Sequence, residues 1–209
     1  MFTGIIEATA PILAVSMHES VRRTRIKKPD GWKLVPGQSV AVDGVCSTIR
    51  KQGETFFEVE YMQETLSKTT VASFVKNKIV NLERSLTLKD RIDGHMVQGH
   101  VDVYSRVVGV TEGDAVQVTM TVPSLLMRCI ATHGSIAING VSLTTTRVHG
   151  NMFSVALIPY TIMHTNLGLL KKGDIVNVEV DTLARYVVAA LARGVTVKHY
   201  AKKRIHKKD

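Results

Sequence analysis

The sequence predicts an all-β protein of two tandem domains of equal size, followed by one helix. Three observations carry that expectation. First, the stretch Ser39-Val-Ala-Val-Asp-Gly-Val-Cys-Ser-Thr48 returns 96 residues later as Ser135-Ile-Ala-Ile-Asn-Gly-Val-Ser-Leu-Thr144. The likeness continues at the same offset: Phe57 matches Phe153, Thr65 matches Thr161, Thr69 matches Thr165, and Ile79-Val-Asn-x-Glu83 matches Ile175-Val-Asn-x-Glu179. Two copies are too few for a solenoid, so they read as two copies of one domain, each of roughly 90 residues, near the lower end of domain size. Second, each copy breaks into about six short β-prone runs separated by turn residues, the pattern of a small barrel or sandwich. Third, helical periodicity is clear in one place, after residue 180.

Taken in order, the first copy opens Phe2-Thr-Gly-Ile-Ile-Glu7 and runs into a strand around Ile12–Ser16, then a short one at Arg23–Ile26. Pro29-Asp-Gly31 and Pro36-Gly37 are turns. From Ser39 to Asp43 the chain alternates, with Val40 and Val42 on one face and Ser39, Ala41 and Asp43 on the other. Asp43-Gly44 and its counterpart Asn139-Gly140 are strong two-residue hairpin signals. Phe56–Met62 is the next strand, Glu64–Thr70 a short helix or turn, and Ile79–Glu83 the last strand. The second copy repeats this from near Val97 and adds Val122–Ile130, where Ser124 is placed to cap a short helix. Cys129 on that segment reads as a core cysteine. Asp181 or Thr182 caps the final helix. Leu183, Tyr186, Val187, Ala190 and Leu191 form an i, i+3, i+4, i+7, i+8 stripe, and Gly194 stands where a helix would stop. An amphipathic helix present once beside two self-sufficient domains is expected to dock on another subunit.

The formal charge is +9, and the segment from Lys198 to Asp209 holds +5 of it. The basic excess is therefore a solvated tail, and with 5% aromatics and no recognised motif nucleic acid is not expected as a partner. Cys46 and Cys129 lie in unlike settings, against a disulfide framework. No run approaches the roughly 20 apolar residues of a membrane span, and Met1–Glu7 lacks the features of a signal peptide. A soluble, cytoplasmic protein is expected.

Chemistry concentrates at a few positions. Cys46 and Ser142 occupy the same place in the two copies. Two polarisable or hydroxyl groups at one repeat position suggest paired ligand pockets. The junction Asp93-Gly-His-Met-Val-Gln-Gly-His-Val-Asp102 invites a metal reading. However, His95 and His100, five apart, would face opposite sides of a strand, and no zinc-type spacing is present. His100 follows Gly99, which allows close approach of backbone and ligand, so His100 is the functional candidate and His95 the structural one. Thr65 and Thr161 are capping hydroxyls or donors to a polar planar ring. Glycine-rich nucleotide loops are absent, which disfavours dinucleotide and nucleoside-triphosphate enzymes.

Together, Met1-Phe-Thr-Gly-Ile-Ile-Glu7, Asp43-Gly-Val-Cys46, Glu64-Thr-Leu66, Val80-Asn-Leu-Glu-Arg84, Gly94-His-x-Val-x-Gly-His-Val-Asp102, Gly140-Val-Ser-Leu-Thr144, Ile158-Pro159 and Val176-Asn-x-Glu179 resemble the riboflavin synthases, the lumazine-binding double-barrel family. The resemblance spans residues 1 to about 190 in the family's order. It implies two tandem six-stranded Greek-key β-barrels related by internal duplication, over 1–96 and 97–180, then an oligomerisation helix over 181–194 and a basic tail over 195–209. It also implies a homotrimer with sites between subunits. The implied reaction converts two molecules of 6,7-dimethyl-8-ribityllumazine to riboflavin and 5-amino-6-(D-ribitylamino)uracil, with no cofactor and no metal.

By that resemblance, the first barrel's pocket uses Gly4, Ile5, Ser39, Cys46, Thr48, Met62 and Thr65, with Phe2 beside them. Ile6, Ser47, Glu60, Tyr61, Gln63 and Glu64, and Gly99, His100 and Val101 of the junction, belong to the same binding motifs. The second pocket takes Ser142, Thr144, Ile158 and Thr161, with His133, Leu143, Ala156, Leu157, Pro159 and Tyr160. Cys46, His100 and Ser39 match the catalytic set, and Asp181 matches a further carboxylate near the reaction. His100 is expected as proton shuttle or orienter, Cys46 as a hydrogen-bonding or nucleophile-assisting group. Four positions depart from the family: His133 for a common lysine, Asn139 for aspartate, Tyr160 for His or Glu, and Ser47 for leucine. The rival expectation is a lumazine-binding antenna protein of the same fold. A flavin reductase is disfavoured because its Arg-x-Tyr-Ser signature is missing.

Overall fold

The computed structural model describes residues 1–113 and 115–193. Gly194 and the basic tail lie outside the described residues. Among the described residues, twelve strands form two closed antiparallel barrels. The first holds β1 (Ala8–His18), β2 (Val21–Lys27), β3 (Ser39–Val42), β4 (Val45–Gln52), β5 (Phe56–Tyr61) and β6 (Ile79–Arg84), ordered β1-β2-β5-β4-β3-β6 around the ring. The second holds β7 (Val103–Thr111), β8 (Val116–Thr121), β9 (Ser135–Ile138), β10 (Val141–His149), β11 (Met152–Leu157) and β12 (Ile175–Val180), and repeats that order strand for strand. Even the irregularities recur: register shifts at Ile12/Ala14 and Ile49/Lys51 reappear at Val107/Gly109 and Thr145/Arg147. Bulges of this kind bend strands sharply enough to close a small barrel.

Each barrel has its own core. Val40, Val42, Val45, Ile49, Phe57 and Val59 fill the first, and Ile136, Ile138, Val141, Leu143, Phe153 and Val155 the second. The alternation expected at Ser39–Asp43 is thus observed: the valines point inward, while Ala41 joins Phe2, Val97 and Ala137 in a third cluster between the barrels. The short helices also repeat. Helix α1 (Gln63–Lys68) and a 3-10 turn at Thr70–Ser73 match α3 (Pro159–His164) and a 3-10 turn at Asn166–Leu169. Thr69 and Thr165 cap the two turns by accepting from Val71 and Leu167 N–H. One capping expectation is corrected: α2 (Ser124–Met127) begins at Ser124, its cap position is Pro123, and no side chain caps it. Helix α4 (Thr182–Ala192) is capped by Asp181, whose Oδ1 accepts from Leu183 N–H at 2.9 Å. Its Leu183, Tyr186, Val187 and Leu191 are all exposed. No described helix is long and apolar enough to cross a membrane.

The barrels meet at their two hairpin turns. Asp43 and Asn139 adopt φ of 46° and 45°, followed by Gly44 and Gly140 at 77° and 80°. Positive φ at both central residues is the type I′ geometry that suits the twist of a hairpin. The turns abut so closely that a Cβ on Gly44 would lie 2.5 Å from Gly140 N. A buried polar network surrounds the contact and is exchanged across it. Asn81 Nδ2 donates to the Asn139 carbonyl at 3.0 Å, and Asn177 Nδ2 to the Asp43 carbonyl at 2.8 Å. Asn166 N–H donates to Asn81 Oδ1 and Thr70 N–H to Asn177 Oδ1, at 2.8 and 2.7 Å.

Asp43 carries the one carboxyl group of this network. Its Oδ1 accepts from Asn81 N–H and Asn166 Nδ2, whereas its buried Oδ2 has no partner among the described residues. Burial pushes its pKa up to about 6, against the hydrogen bond from Asn81 and the charge of Lys78. The folded value lies above the unfolded one, so the stabilising contribution is fully present below about pH 4 and is lost as pH rises through about 6. Asp43→Asn removes that titration. Between pH 4 and pH 8 the stability difference should therefore move in the variant's favour by about 2 kcal/mol. Denaturant unfolding at a series of pH values checks it, and parallel curves for the two proteins would contradict it.

Candidate functional site

Each barrel is crossed by a segment that belongs, in chain order, with the other. The N-terminal residues and the junction run antiparallel, with Phe2 N–H donating to the Val97 carbonyl at 2.7 Å and Val97 N–H to that of Phe2 at 3.1 Å. From there they diverge. Gly99 reaches the first barrel, where its carbonyl accepts from Cys46 N–H at 2.9 Å. Gly4 reaches the second, where its carbonyl accepts from Ser142 N–H at 2.8 Å. Both glycines have positive φ, and both fit because they lack a Cβ: one would lie 2.7 Å from Cys46 Cβ and the other 2.6 Å from Ser142 Cβ. Val101 packs on the first core and Ile6 on the second.

Buried carboxylates hold the two segments. Glu83 accepts from Thr3 N–H, Thr3 hydroxyl and Gly4 N–H at 2.6, 2.7 and 3.0 Å. Glu179, its counterpart, accepts from Gln98 and Gly99 N–H at 2.8 and 2.9 Å. Burial raises the pKa of both, opposed by these same hydrogen bonds. Glu7 and Asp102 add a second clasp by accepting from Arg84 and Val180 N–H. Asp102 also pairs with Arg185 at 2.8 Å, which ties α4 to the second barrel.

Strand alternation decides which expected residues reach the cradle. Val45, Ser47 and Ile49 are buried within the first barrel, so Cys46 and Thr48 lie on its outer wall. Register puts Ala41 opposite Cys46 and Ser39 opposite Thr48, so Ser39 shares that wall. Met62, 60% exposed, and half-buried Thr65 continue it. In the second barrel the same wall carries Ser142, exposed Thr144, half-buried Ala156, exposed Ile158 and half-buried Thr161. The candidate pockets are thus outer walls, each overlain by an exchanged segment, rather than barrel rims. His100 is exposed beside the Gly99 cradle, and Ile5 and Ser39 line one cavity of about 460 Å³.

The remaining expected binding residues differ in their settings. Ser47 and Tyr61 face the interior, joined hydroxyl to hydroxyl at 2.9 Å, and burial raises the Tyr61 pKa. Leu143 and Leu157 belong to the second core. Phe2 is fully buried between the barrels, in the cluster against which Cys46 packs. Gly4 sits with the second barrel, not the first, because it pairs with Ser142. Glu60 is held by Arg23 and Arg50 at 2.8 and 2.9 Å, and Glu64 by Lys68 at 2.7 Å. Gln63, Pro159 and His133 are exposed, the last at φ 65°. Tyr160 stacks on His164 with ring centres 4.0 Å apart. His95, read from sequence as structural, is buried with Nδ1 2.7 Å from Ser142 Oγ. The available signal was Gly94 before it, the same step that marks Gly99-His100.

Glu179→Leu should expose the dependence of the first cradle on its clasp. It leaves the Gln98 and Gly99 N–H groups unpaired, at about 1–3 kcal/mol each. Amide hydrogen exchange should accelerate at residues 98–100 and stay slow at Thr3 and Gly4, which Glu83 still holds. Equal acceleration of both segments would show that they move as one.

The comparisons with known proteins agree with this geometry. The model of the Lumazine binding domain matches twice, over residues 3–85 and 98–181. The riboflavin synthase of Brucella abortus (strain 2308) is 40% identical over 193 residues, which cover 89% of this chain and 96% of that protein. The riboflavin synthase of Photobacterium phosphoreum is 36% identical, covering 90% and 87%. Among solved structures, LumP complexed with riboflavin superposes with a TM-score of 0.80 at 24% identity, covering 86% of this chain and 99% of that one, a likeness of fold. Two matches to one domain model, on two barrels of one topology, and full-length relatives at this identity place the chain in the riboflavin synthase family of lumazine-binding double-barrel proteins.

Proposed function

We propose that the chain catalyses the dismutation of two 6,7-dimethyl-8-ribityllumazine molecules into riboflavin and 5-amino-6-(D-ribitylamino)uracil. The observation that carries this reading is the doubled cradle, with Cys46 on one outer wall and Ser142 on the other, each bonded through its N–H to a glycine carbonyl of an exchanged segment. A reaction between two copies of one substrate needs two similar holding surfaces. One lumazine gives a four-carbon unit to the other, so the atoms of two substrates make up the two products with no outside oxidant. Holding both rings in register removes much of the entropic barrier, a term of up to roughly 7–11 kcal/mol. What remains is proton removal from an acidic ring methyl and addition to the other ring. Exposed His100 is assigned the proton transfer, with Cys46 and Ser39 hydrogen-bonding to the ring in the first pocket. Ser142, Thr144 and Thr161 are assigned to hold the second, and Asp181 to supply a nearby carboxylate.

The working form in this proposal is a cytoplasmic homotrimer whose pockets pair the first barrel of one chain with the second barrel of a neighbour. The exposed apolar stripe of α4 supports assembly, since Leu183, Tyr186, Val187 and Leu191 are 57–68% exposed in the isolated chain.

Purified protein in metal-free buffer should form riboflavin from the ribityllumazine, followed by absorbance. His100→Ala and Cys46→Ala should each lower turnover by about 100-fold or more with unchanged folding. Tight ligand binding without product would instead identify a lumazine-binding antenna protein.

The pairing of chains is tested by complementation. Cys46→Ala damages the first pocket and Thr161→Arg blocks the second, so each should be nearly inactive alone. Refolded together, they form mixed oligomers in which some pockets combine two intact halves, and part of the wild-type rate should return. Mixed oligomers, verified by tagged co-purification, that stay as inactive as their parents would place both halves in one chain.

A further inference from the structure

Resting on the reaction proposed above, we infer that His95 is a positioning residue: it fixes the Ser142 hydroxyl on the outer wall of the second barrel for the substrate molecule held there. The two cradles share their backbone bonds, their positive-φ glycines and their clasping glutamates. They differ in a side chain. Ser142 Oγ lies 2.7 Å from His95 Nδ1, whereas at the first cradle the junction's other histidine, His100, stays exposed.

The pair has little freedom. His95 N–H donates to the Thr3 carbonyl at 3.0 Å, which anchors its backbone to the exchanged N-terminal segment. Glycines close on Ser142 from both sides. A Cβ on Gly94 would lie 2.2 Å from the Thr3 carbonyl oxygen and 2.8 Å from Ser142 Cβ, and one on Gly4 would lie 2.6 Å from Ser142 Cβ. The imidazole reaches the hydroxyl because these two neighbours have no side chains. His95 is itself 9% exposed. Burial lowers its pKa, with the Asp181 carboxylate opposing, so the ring is neutral at pH 7.

A neutral imidazole carries one N–H, so Nδ1 either accepts from Ser142 or donates to it. In either tautomer one hydrogen-bonding position of the hydroxyl is occupied and the remaining ones are aimed. A serine hydroxyl otherwise rotates among three staggered positions. Holding it preorganises the contact with a ring that must meet its twin in register. Asp181 caps α4 and its charge bears on His95, so the start of that helix is linked to the substrate wall through this pair.

A histidine that merely satisfies itself in the core would make the same bond, and kinetics separate the two roles. kcat and KM for riboflavin formation are measured for wild type, His95→Leu, His95→Asn, Ser142→Ala and the double variant His95→Leu/Ser142→Ala, with a thermal midpoint for each. His95→Leu should lower kcat about 100-fold with KM little changed. His95→Asn, whose amide reaches the Nδ1 position, should recover most of it. The double variant should be no slower than Ser142→Ala alone, since His95 acts through that hydroxyl. Losses that multiply in the double variant, or a His95→Leu enzyme at the wild-type kcat, overturn the inference. If His95→Leu does not fold, His95→Gln, which leaves the Nδ1 position empty, takes its place, and full activity there has the same consequence. A wild-type protein that forms no riboflavin overturns the reaction and the inference together, whereas turnover with multiplying losses overturns the inference alone.

Discussion

The structure depends on the contact between two hairpin turns. Gly44 and Gly140 touch backbone to backbone, and the groups around them are buried and polar. Apolar surfaces of this shape would slide, since hydrophobic contact has no direction. The asparagines remove that freedom. Asn81 and Asn177 each reach across to a carbonyl of the other barrel's turn, and each accepts from a backbone N–H beyond it. A shift of one barrel against the other would leave these groups unpaired in a dry interior, at about 1–3 kcal/mol each. Such a network sets the angle and register between the barrels more than it adds stability.

That register is what allows the exchanged segments to exist. Each must leave the inter-barrel cluster at Phe2 or Val97 and arrive within hydrogen-bond distance of a particular N–H on the far wall. Glu83 and Glu179 make the arrival specific, because a buried carboxylate with several donors loses far more than it gains if the segment withdraws. The consequence for the walls is that neither is complete within its own half of the chain. The unit boundary near residue 97 is one of chain order, and the packing crosses it twice.

Much of this was legible beforehand. The 96-residue repeat, the hairpin turns, the strand count and the capped C-terminal helix all follow from local pattern, and local pattern is what these elements obey. The exchange was not legible, because nothing in Phe2–Glu7 says which barrel its glycine will meet. Only the tertiary placement of Ser142 says so. The inward residues are a different case. Alternation from Val45 and Val59 places Ser47 and Tyr61 inside the first barrel, and the same step from Val141 and Val155 places Leu143 and Leu157 inside the second. Runs of consecutive motif residues hid a period of two. The partner of His95 is a third case: Ser142 lies 47 residues away, and no spacing rule reveals it.

The copies diverge where a duplicated site has to choose. Cys46 faces Gly99 where Ser142 has both Gly4 and His95. Helix α1 presents the Glu64–Lys68 ion pair where α3 presents Tyr160 stacked on His164. Asp43 and Thr70 stand opposite Asn139 and Asn166, so the central network also lacks perfect symmetry. In the proposed reaction the two bound molecules are chemically identical, yet one gives four carbons and the other takes them. Two equal walls would bind the pair equally well in either sense and favour neither donor nor acceptor. Binding accelerates chemistry only where it is stronger in the transition state than before it, and a donor and an acceptor develop charge at different atoms. In that proposal the backbone cradle shared by the two copies accounts for holding two like rings, and the unlike side chains upon it account for which ring does what.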